Sequence, residues 1–272
     1  MTPEKPTRPP ATRRIEKQIE VAAPVEAVWK ALTDAQELTR WFPLEAQVEP
    51  GEGGSIFLSW GADCQGKAPI TVWEVNRRLQ WREGAPGGGE VPGVFVEWVL
   101  EARGGKTLVR LVNSGFAAEG TEWENEYFDS STYGWVFMLT NLRHYLESHP
   151  GMPRLAAWSR HKVAQPRPQI YAKLAGAGGL FAEGVGTLAV GGRYTLRAAT
   201  GDSFTGRVEF IVPPRGFCLT VGGLNSALYW LSIEGAGPEH DVQVWLSAYG
   251  VPQAQVDEFH KESSAVLEKL LT

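Results

Sequence analysis

The stretch VFVEWVLEARGGKTLVRLVN, residues 94–113, decides the fold of the first half of the chain. Apolar and charged residues alternate on both sides of Gly104-Gly105. Alternation with a period of two is typical of strands that bury one face, and a two-glycine turn joins antiparallel strands. The stretch therefore predicts a β-hairpin with one apolar face. Its inward residues would be Val96, Trp98, Leu100, Val109 and Leu111, and Glu97, Glu101 and Arg110 would face water.

Further strands and helices are predicted around this hairpin. The strands are Ile15–Val21, Ser55–Trp60, Ala68–Val75 and Leu79–Glu83, in addition to Val94–Glu101 and Thr107–Asn113. Pro24 suits the first turn of a helix, and the spacing of the apolar residues after it predicts two short helices. Residues 124–147 contain no proline and predict a long helix, ended by His149-Pro150-Gly151. The apolar stripe of this helix would be Phe128, Trp135, Leu139, Leu142 and Leu146.

The order of these elements predicts an α+β domain over residues 14–149, in which a curved antiparallel sheet wraps a long C-terminal helix. Residues 1–13 contain four prolines and few apolar groups. Such a segment does not bury enough surface to offset its ordering entropy, so it is predicted to be a disordered tail. A domain boundary is predicted at residues 148–153.

The second half repeats the landmarks of the first in the same order. Ala23–Leu32 aligns with Gln165–Leu174, and Gly53-Gly54 aligns with Gly191-Gly192. The helix predicted over Val256–Leu271 matches the first long helix. The interpretation favoured is a tandem duplication, with a weaker second copy over residues 154–272. The alternative is that two ordinary α+β domains share this order of landmarks by chance. The second copy is less regular, with a short first strand near Arg160–Ala164 and a glycine-rich stretch where the first copy has helix.

Several short motifs of the first half resemble a known family when they are taken together. They are Trp41-Phe42-Pro43, Gly53-Gly54, Val75–Trp81, Asn113–Phe116, Gly134-Trp135, Leu142 and Tyr145-Leu146. The set resembles the Hsp90-ATPase-activator-like branch of the START-like (SRPBCC) superfamily over residues 15–148. This resemblance implies a helix-grip fold with a deep and mainly apolar cavity between the sheet and the long helix. The second half resembles the family only through Gly191-Gly192 and its strand-strand-helix ending, so the two tandem copies of this fold follow from the internal repeat. The superfamily also includes polyketide cyclases and lipid-transfer proteins, so the fold alone does not define the function.

Composition excludes several classes of function. With 26 basic and 31 acidic residues, the net charge of -5 offers no general attraction to nucleic acid. No stretch approaches the ~18 consecutive apolar residues that span a membrane, and the start of the chain lacks the apolar run of a signal peptide. Cys64 and Cys218 are interpreted as reduced thiols of a cytoplasmic protein.

No motif for catalysis or for a cofactor is present. The five histidines lack the spacing of zinc sites, and no G-x-S-x-G sequence marks a nucleophilic serine. Gly53-Gly54 and Gly87–Gly89 do not lead from a strand into a helix, so they predict turns rather than a phosphate site. We therefore predict no catalytic residue, no metal and no cofactor.

The long helix predicts a ligand cavity. Eight of the eleven tryptophans lie within the first 135 residues, and most of them suit a core. By contrast, Ser130–Thr132 and Gly134 are too small to fill the space opposite a curved sheet. The predicted ligand-binding residues are Trp41, Phe42, Trp98, Asn113, Phe128, Ser131, Thr132 and Trp135. Ser131 and Thr132 would alternatively face solvent or bond back to the preceding turn, and Asn113 would simply end its strand.

The second half predicts an interface. Aligning Leu231 with Trp98 places one set of apolar residues inward and leaves Leu228, Trp230, Trp245 and Tyr249 outward. A cluster of this size is rarely exposed to water, so it is predicted to contact the first domain or a second copy of the chain.

The leading functional hypothesis is non-catalytic binding of an apolar or amphipathic small molecule, such as a lipid or an aromatic polyketide-like compound. One alternative is a cyclase-like enzyme, which a perturbed carboxylate deep in the cavity would favour. The other is a protein-interaction module like a chaperone cofactor, which a fully packed interior and a large apolar surface would favour.

Overall fold

The hairpin around Gly104-Gly105 joins β6 (Glu90–Arg103) to β7 (Lys106–Ala117), as predicted. Both glycines have positive φ angles, 58° and 86°, which the two-residue turn requires and which glycine adopts without strain. The structure is a computed structural model, and it describes residues 12–61, 64–84 and 90–272. The glycines at 87–89, predicted to form a turn, lie outside the described residues.

Seven antiparallel strands form the first sheet, in the order β1-β7-β6-β5-β4-β3-β2. The remaining strands are β1 (Thr12–Val21), β2 (Glu45–Glu49), β3 (Ser55–Ser59), β4 (Gln65–Glu74) and β5 (Arg78–Gly84). Two short helices, α1 (Val25–Thr33) and α2 (Ala35–Thr39), follow β1, and the long helix α3 (Glu122–Ser148) follows β7. The sequence did not predict β2, because its inward residues are only Ala46 and Val48 and both stay partly exposed.

Two details of the first domain differ from the predictions. Residues 12 and 13 belong to β1 rather than to a tail, because they pair with Ala117 and Phe116 at the end of β7. Glu97 is only partly exposed, because it forms an ion pair with Arg78 on the outer face of the sheet. Residues 1–11 are outside the described part of the chain.

The second sheet has the strand order β8-β13-β12-β11-β10-β9, which repeats the first sheet without a counterpart of β2. Its elements are β8 (Arg154–Val163), α4 (Arg167–Ala175), β9 (Arg193–Arg197), β10 (Ser203–Val212), β11 (Gly216–Val221), β12 (Ala227–Glu234), β13 (His240–Tyr249) and α5 (Gln253–Leu271). The chain therefore contains two tandem helix-grip units. The first strand of the second unit starts at Arg154, six residues before the predicted position, because its whole length pairs with β13.

Helix α3 lies between the two sheets and is buried on both sides. Thr121 begins it with a capping box, since its hydroxyl accepts a hydrogen bond from the Glu124 N–H while the Glu124 carboxylate accepts one from the Thr121 N–H. The stripe that includes Trp135, Leu139 and Leu142 packs on the first sheet. Other α3 side chains pack against the outer face of the second sheet.

Candidate functional site

A cavity of about 260 Å³ lies between the first sheet and the middle of α3. Its walls are mostly apolar and rich in aromatic rings. They include Phe42, Leu58, Trp60, Trp81, Val96 and Trp135. Because apolar walls with a few polar groups are typical of small-molecule sites, the cavity is the candidate ligand site.

Small residues on α3 create this space. Gly134 lines the cavity, and a Cβ atom built on it would meet no other atom within 4 Å. Ser131, one turn earlier, also lines the cavity. In contrast, the Thr132 hydroxyl donates a hydrogen bond to the Phe128 carbonyl at 2.8 Å, which is the bond to the preceding turn considered as its alternative.

One end of the cavity is polar and hydrogen-bonded. The Asn113 side-chain amide donates to Glu83 Oε2 at 2.9 Å and to the Phe95 carbonyl at 3.0 Å. Its own oxygen accepts a hydrogen bond from Trp135 Nε1 at 2.9 Å. Burial raises the pKa of Glu83, against the lowering effect of hydrogen bonds from Asn113 and Tyr127. The cavity therefore combines aromatic walls with a carboxyl group whose pKa is raised by burial.

The structure brings together three of the eight residues that were predicted to bind a ligand. Phe42, Ser131 and Trp135 line the cavity. The other five, Trp41, Trp98, Asn113, Phe128 and Thr132, are not among its lining residues. For all eight residues, contact with a ligand stays a prediction.

The residues outside the lining have structural contacts. Trp41 and Trp98 are fully buried behind the wall, where Trp41 Nε1 donates to the Ala31 carbonyl at 2.8 Å. Asn113 is also fully buried, and its amide hydrogens and oxygen are engaged in the network at the polar end. Phe128 packs beside Phe116, with ring centroids 5.2 Å apart.

The sequence did not predict Glu83, Tyr127 or Trp81 as lining residues. A signal for Glu83 exists in the alternation of β5, because Leu79 and Trp81 are buried and Glu83 has the same parity. An acidic residue in an inward position of a strand is unusual enough to mark a site.

The second domain contacts the opposite face of α3 through aromatic rings. The Phe137 and Trp230 rings are stacked, with centroids 4.2 Å apart and planes 8° from parallel. Trp230 Nε1 donates to the Tyr133 hydroxyl at 2.9 Å, and this hydroxyl donates to the Leu231 carbonyl at 2.7 Å. These contacts join the outer face of β12 directly to α3.

The other three residues of the predicted interface lie on the same side of the second sheet. Leu228 and Trp245 are buried in the cluster that contains Tyr133 and Phe137. Tyr249 is buried in the core of the first domain, and its hydroxyl donates to the Arg40 carbonyl at 2.7 Å.

Charged and titratable groups complete the contact between the domains. Glu126 of α3 pairs with Arg215 at 2.7 Å and with Arg167 at 2.8 Å. Burial alone would raise the pKa of Glu126, but hydrogen bonds led by that from Arg215 lower it to about 2. At the other end of α3, burial, together with the nearby His149, lowers the pKa of His144 to about 4.

The interior of the second domain, beneath α5, offers little room for a ligand. The space between its sheet and α5 is about 40 Å³, far smaller than the cavity of the first domain. Aromatic side chains fill this interior, among them Phe181, Phe217, Tyr229 and Phe259. The two copies are therefore unequal.

Two further classes of site are absent from the part of the chain that the structure describes. No group of three or more His, Cys, Asp or Glu residues there is placed to hold a metal ion. Among the same residues, no helix is both long and apolar enough to cross a membrane.

Two helix-grip units in tandem, the first enclosing an apolar cavity beneath its long helix, define a protein of the START-like class. The family model of Activator of Hsp90 ATPase homolog 1-like protein matches residues 22–147, which lie within the first domain. A search of curated proteins found no match.

Solved structures with similar folds cover one unit or both. DynU16, from the dynemicin biosynthetic locus, is 19% identical over 94% of this chain and 97% of its own, with a TM-score of 0.44. The di-domain ARO/CYC BexL, from the BE-7585A biosynthetic pathway, is 14% identical over 95% and 97%, with a TM-score of 0.42. The Aha1 dimer from Colwellia psychrerythraea is 22% identical over 51% of this chain and 99% of its own, with a TM-score of 0.44.

Proposed function

We propose that the first domain binds an apolar or amphipathic small molecule, of lipid or aromatic polyketide-like type, without transforming it. The observation that carries the proposal is the 260 Å³ cavity with aromatic walls and one polar end. Such a cavity gains binding free energy from apolar burial, and its few polar groups orient the ligand. We place this function in the cytoplasm, where Cys64 and Cys218 would stay reduced.

The second domain acts in this proposal as a structural partner of the first. Its outward aromatic residues are covered by α3 of the same chain, which favours contact between domains over a homodimer through this face. Because α3 is held from behind by Trp230 and Arg215, its small residues keep a fixed distance from the first sheet. The second domain would therefore maintain the cavity without enclosing one of comparable size.

A second candidate is a cyclase-like enzyme, and one observation favours it. Glu83 is a carboxyl group with a raised pKa, and it lines the cavity. A group of this kind is suited to proton transfer when it lies beside a reacting ligand. A protein-interaction module has less support, because the first domain has a cavity rather than a fully packed interior.

Quenching of tryptophan fluorescence tests the binding proposal. We would titrate the protein with naphthalene, 2-acetylnaphthalene and dodecanoic acid, and repeat the titration with Gly134→Leu and Gly134→Ala. Leucine at this position projects into the cavity and should weaken binding at least tenfold, whereas alanine adds one methyl group and serves as the matched control. Quenching that is equal in the wild type and Gly134→Leu would place the ligand elsewhere.

A further inference from the structure

Glu83 is the one acidic residue among the described residues that line the cavity. It lies near the end of β5, where the alternation of the strand turns it toward α3 together with Trp81. The surrounding wall is apolar and aromatic, so any polar atom of a ligand has few places to form a hydrogen bond.

The hydrogen bonds around Glu83 hold it in place from behind. Asn113 donates to Glu83 Oε2 and accepts from Trp135, so the amide is fixed between the carboxyl group and the helix. Tyr127 of α3 hydrogen-bonds the same carboxyl group. A network whose members are satisfied is preorganised, which lowers the cost of ordering the group when a ligand binds.

No cation neutralises Glu83 among the residues that the structure describes. The groups that face it are the Asn113 amide from β7 and the Tyr127 hydroxyl from α3, and the Cys64 thiol lines the same cavity. None of these groups carries a positive charge. Because a buried carboxylate without a counter-charge is costly, burial favours the protonated acid and raises the pKa of Glu83.

We propose that Glu83 is the specificity-determining residue of the cavity, where it donates a hydrogen bond to a carbonyl or similar acceptor oxygen on an otherwise aromatic ligand. This inference rests on the proposed binding function and adds the chemical class of the ligand. The rings of Trp60, Trp81 and Trp135 suit a flat aromatic body, and Glu83 lines the same cavity. A cationic ligand is disfavoured, because its charge would lose its hydration in a mainly apolar cavity.

Equilibrium dialysis of the full chain with three probes of similar shape tests this proposal. The probes are 2-acetylnaphthalene, 2-isopropenylnaphthalene, in which a CH₂ group replaces the carbonyl oxygen, and 1-(2-naphthyl)ethylamine. The wild type should bind the ketone about tenfold more tightly than the alkene, which is the value of one additional buried hydrogen bond. In Glu83→Met this preference should disappear or reverse.

Two further variants test whether the preference for the ketone depends on the hydrogen-bond donor at position 83. Glu83→Gln keeps a donor and should keep the preference for the ketone. Gln47→Met makes a similar exchange at an exposed position of β2 that does not line the cavity, and it should change nothing. As the pH rises through the pKa of Glu83, the wild type should lose affinity for the ketone while Glu83→Gln should not, and this comparison does not depend on the methionine variant.

The outcomes separate the inference from the function on which it rests. Equal affinity for ketone and alkene, or the tightest binding for the amine, would overturn the role of Glu83 and leave the binding function intact. If none of the three probes binds the wild type, the binding function itself fails, and the inference fails with it.

Discussion

Replacing Trp230 with alanine should loosen the contact between the two domains. The Trp230 ring is 5% exposed, stacks on Phe137 at 4.2 Å and donates to the Tyr133 hydroxyl. Truncating a buried tryptophan removes its transfer free energy and leaves a cavity, so the free energy of unfolding should fall by about 3–5 kcal/mol. The Tyr133 hydroxyl retains its bond to the Leu231 carbonyl, so most of the loss comes from ring packing. Urea unfolding followed by far-UV circular dichroism measures the change.

Trp123 provides the matched control on α3. Its side chain is 55% exposed and its main aromatic contact is Tyr127, so Trp123→Ala should change stability by no more than about 0.5 kcal/mol. A loss below about 1 kcal/mol for Trp230→Ala would refute the reasoning, because it falls below the range for truncating a buried aromatic residue. It would mean that the second sheet does not rest on α3 in solution.

Three further changes test other parts of the structure. Lowering the pH from 7 to 5 should destabilise the protein by at most about 2 kcal/mol through His144, because burial lowers the pKa of its imidazole to about 4, below the ordinary value of 6.5. The unfolded chain therefore binds the proton first. The pH dependence of the urea midpoint should shrink in His144→Gln, and an unchanged dependence would contradict this. Asn113→Leu should lower the free energy of unfolding, measured in urea, by about 2–4 kcal/mol, since it leaves the Trp135 N–H and the Glu83 carboxyl group without this partner. A variant as stable as the wild type would show that the network is not formed. Gly134→Ala should raise stability by about 1 kcal/mol in thermal unfolding, because alanine favours a helix and its methyl group enters open space; a lower midpoint would mean that the space beside α3 is filled.

The sequence predicted the elements whose local signals are strong. The two-glycine hairpin, the apolar stripe of α3 and the parity of β12 and β13 follow from periodicity and turn chemistry, which act over a few residues. The burial of Leu228, Trp230 and Trp245 against α3 agrees with the predicted register. The weak strand β2 was missed, because alternation with only partly buried residues gives little signal.

The cavity was predictable in its location but not in its detail. Gly134 and Ser131 indicated the space, whereas the walls come from strands far apart in sequence, and their depth depends on the curvature of the sheet. Trp98 has the right parity but lies too deep to line the cavity. Tyr133 and Phe137 form a second apolar stripe of α3, which packs against the second sheet. Their burial could not be predicted from the helix pattern alone, because it depends on how the two domains pack.

Native mass spectrometry of the protein purified from its own cells tests the central claim most directly. The account predicts that the wild type carries a bound small molecule, of lipid or aromatic type, and that Gly134→Leu purified in the same way lacks it. The claim would be contradicted if the wild type carries no added mass and no apolar probe quenches its tryptophan fluorescence.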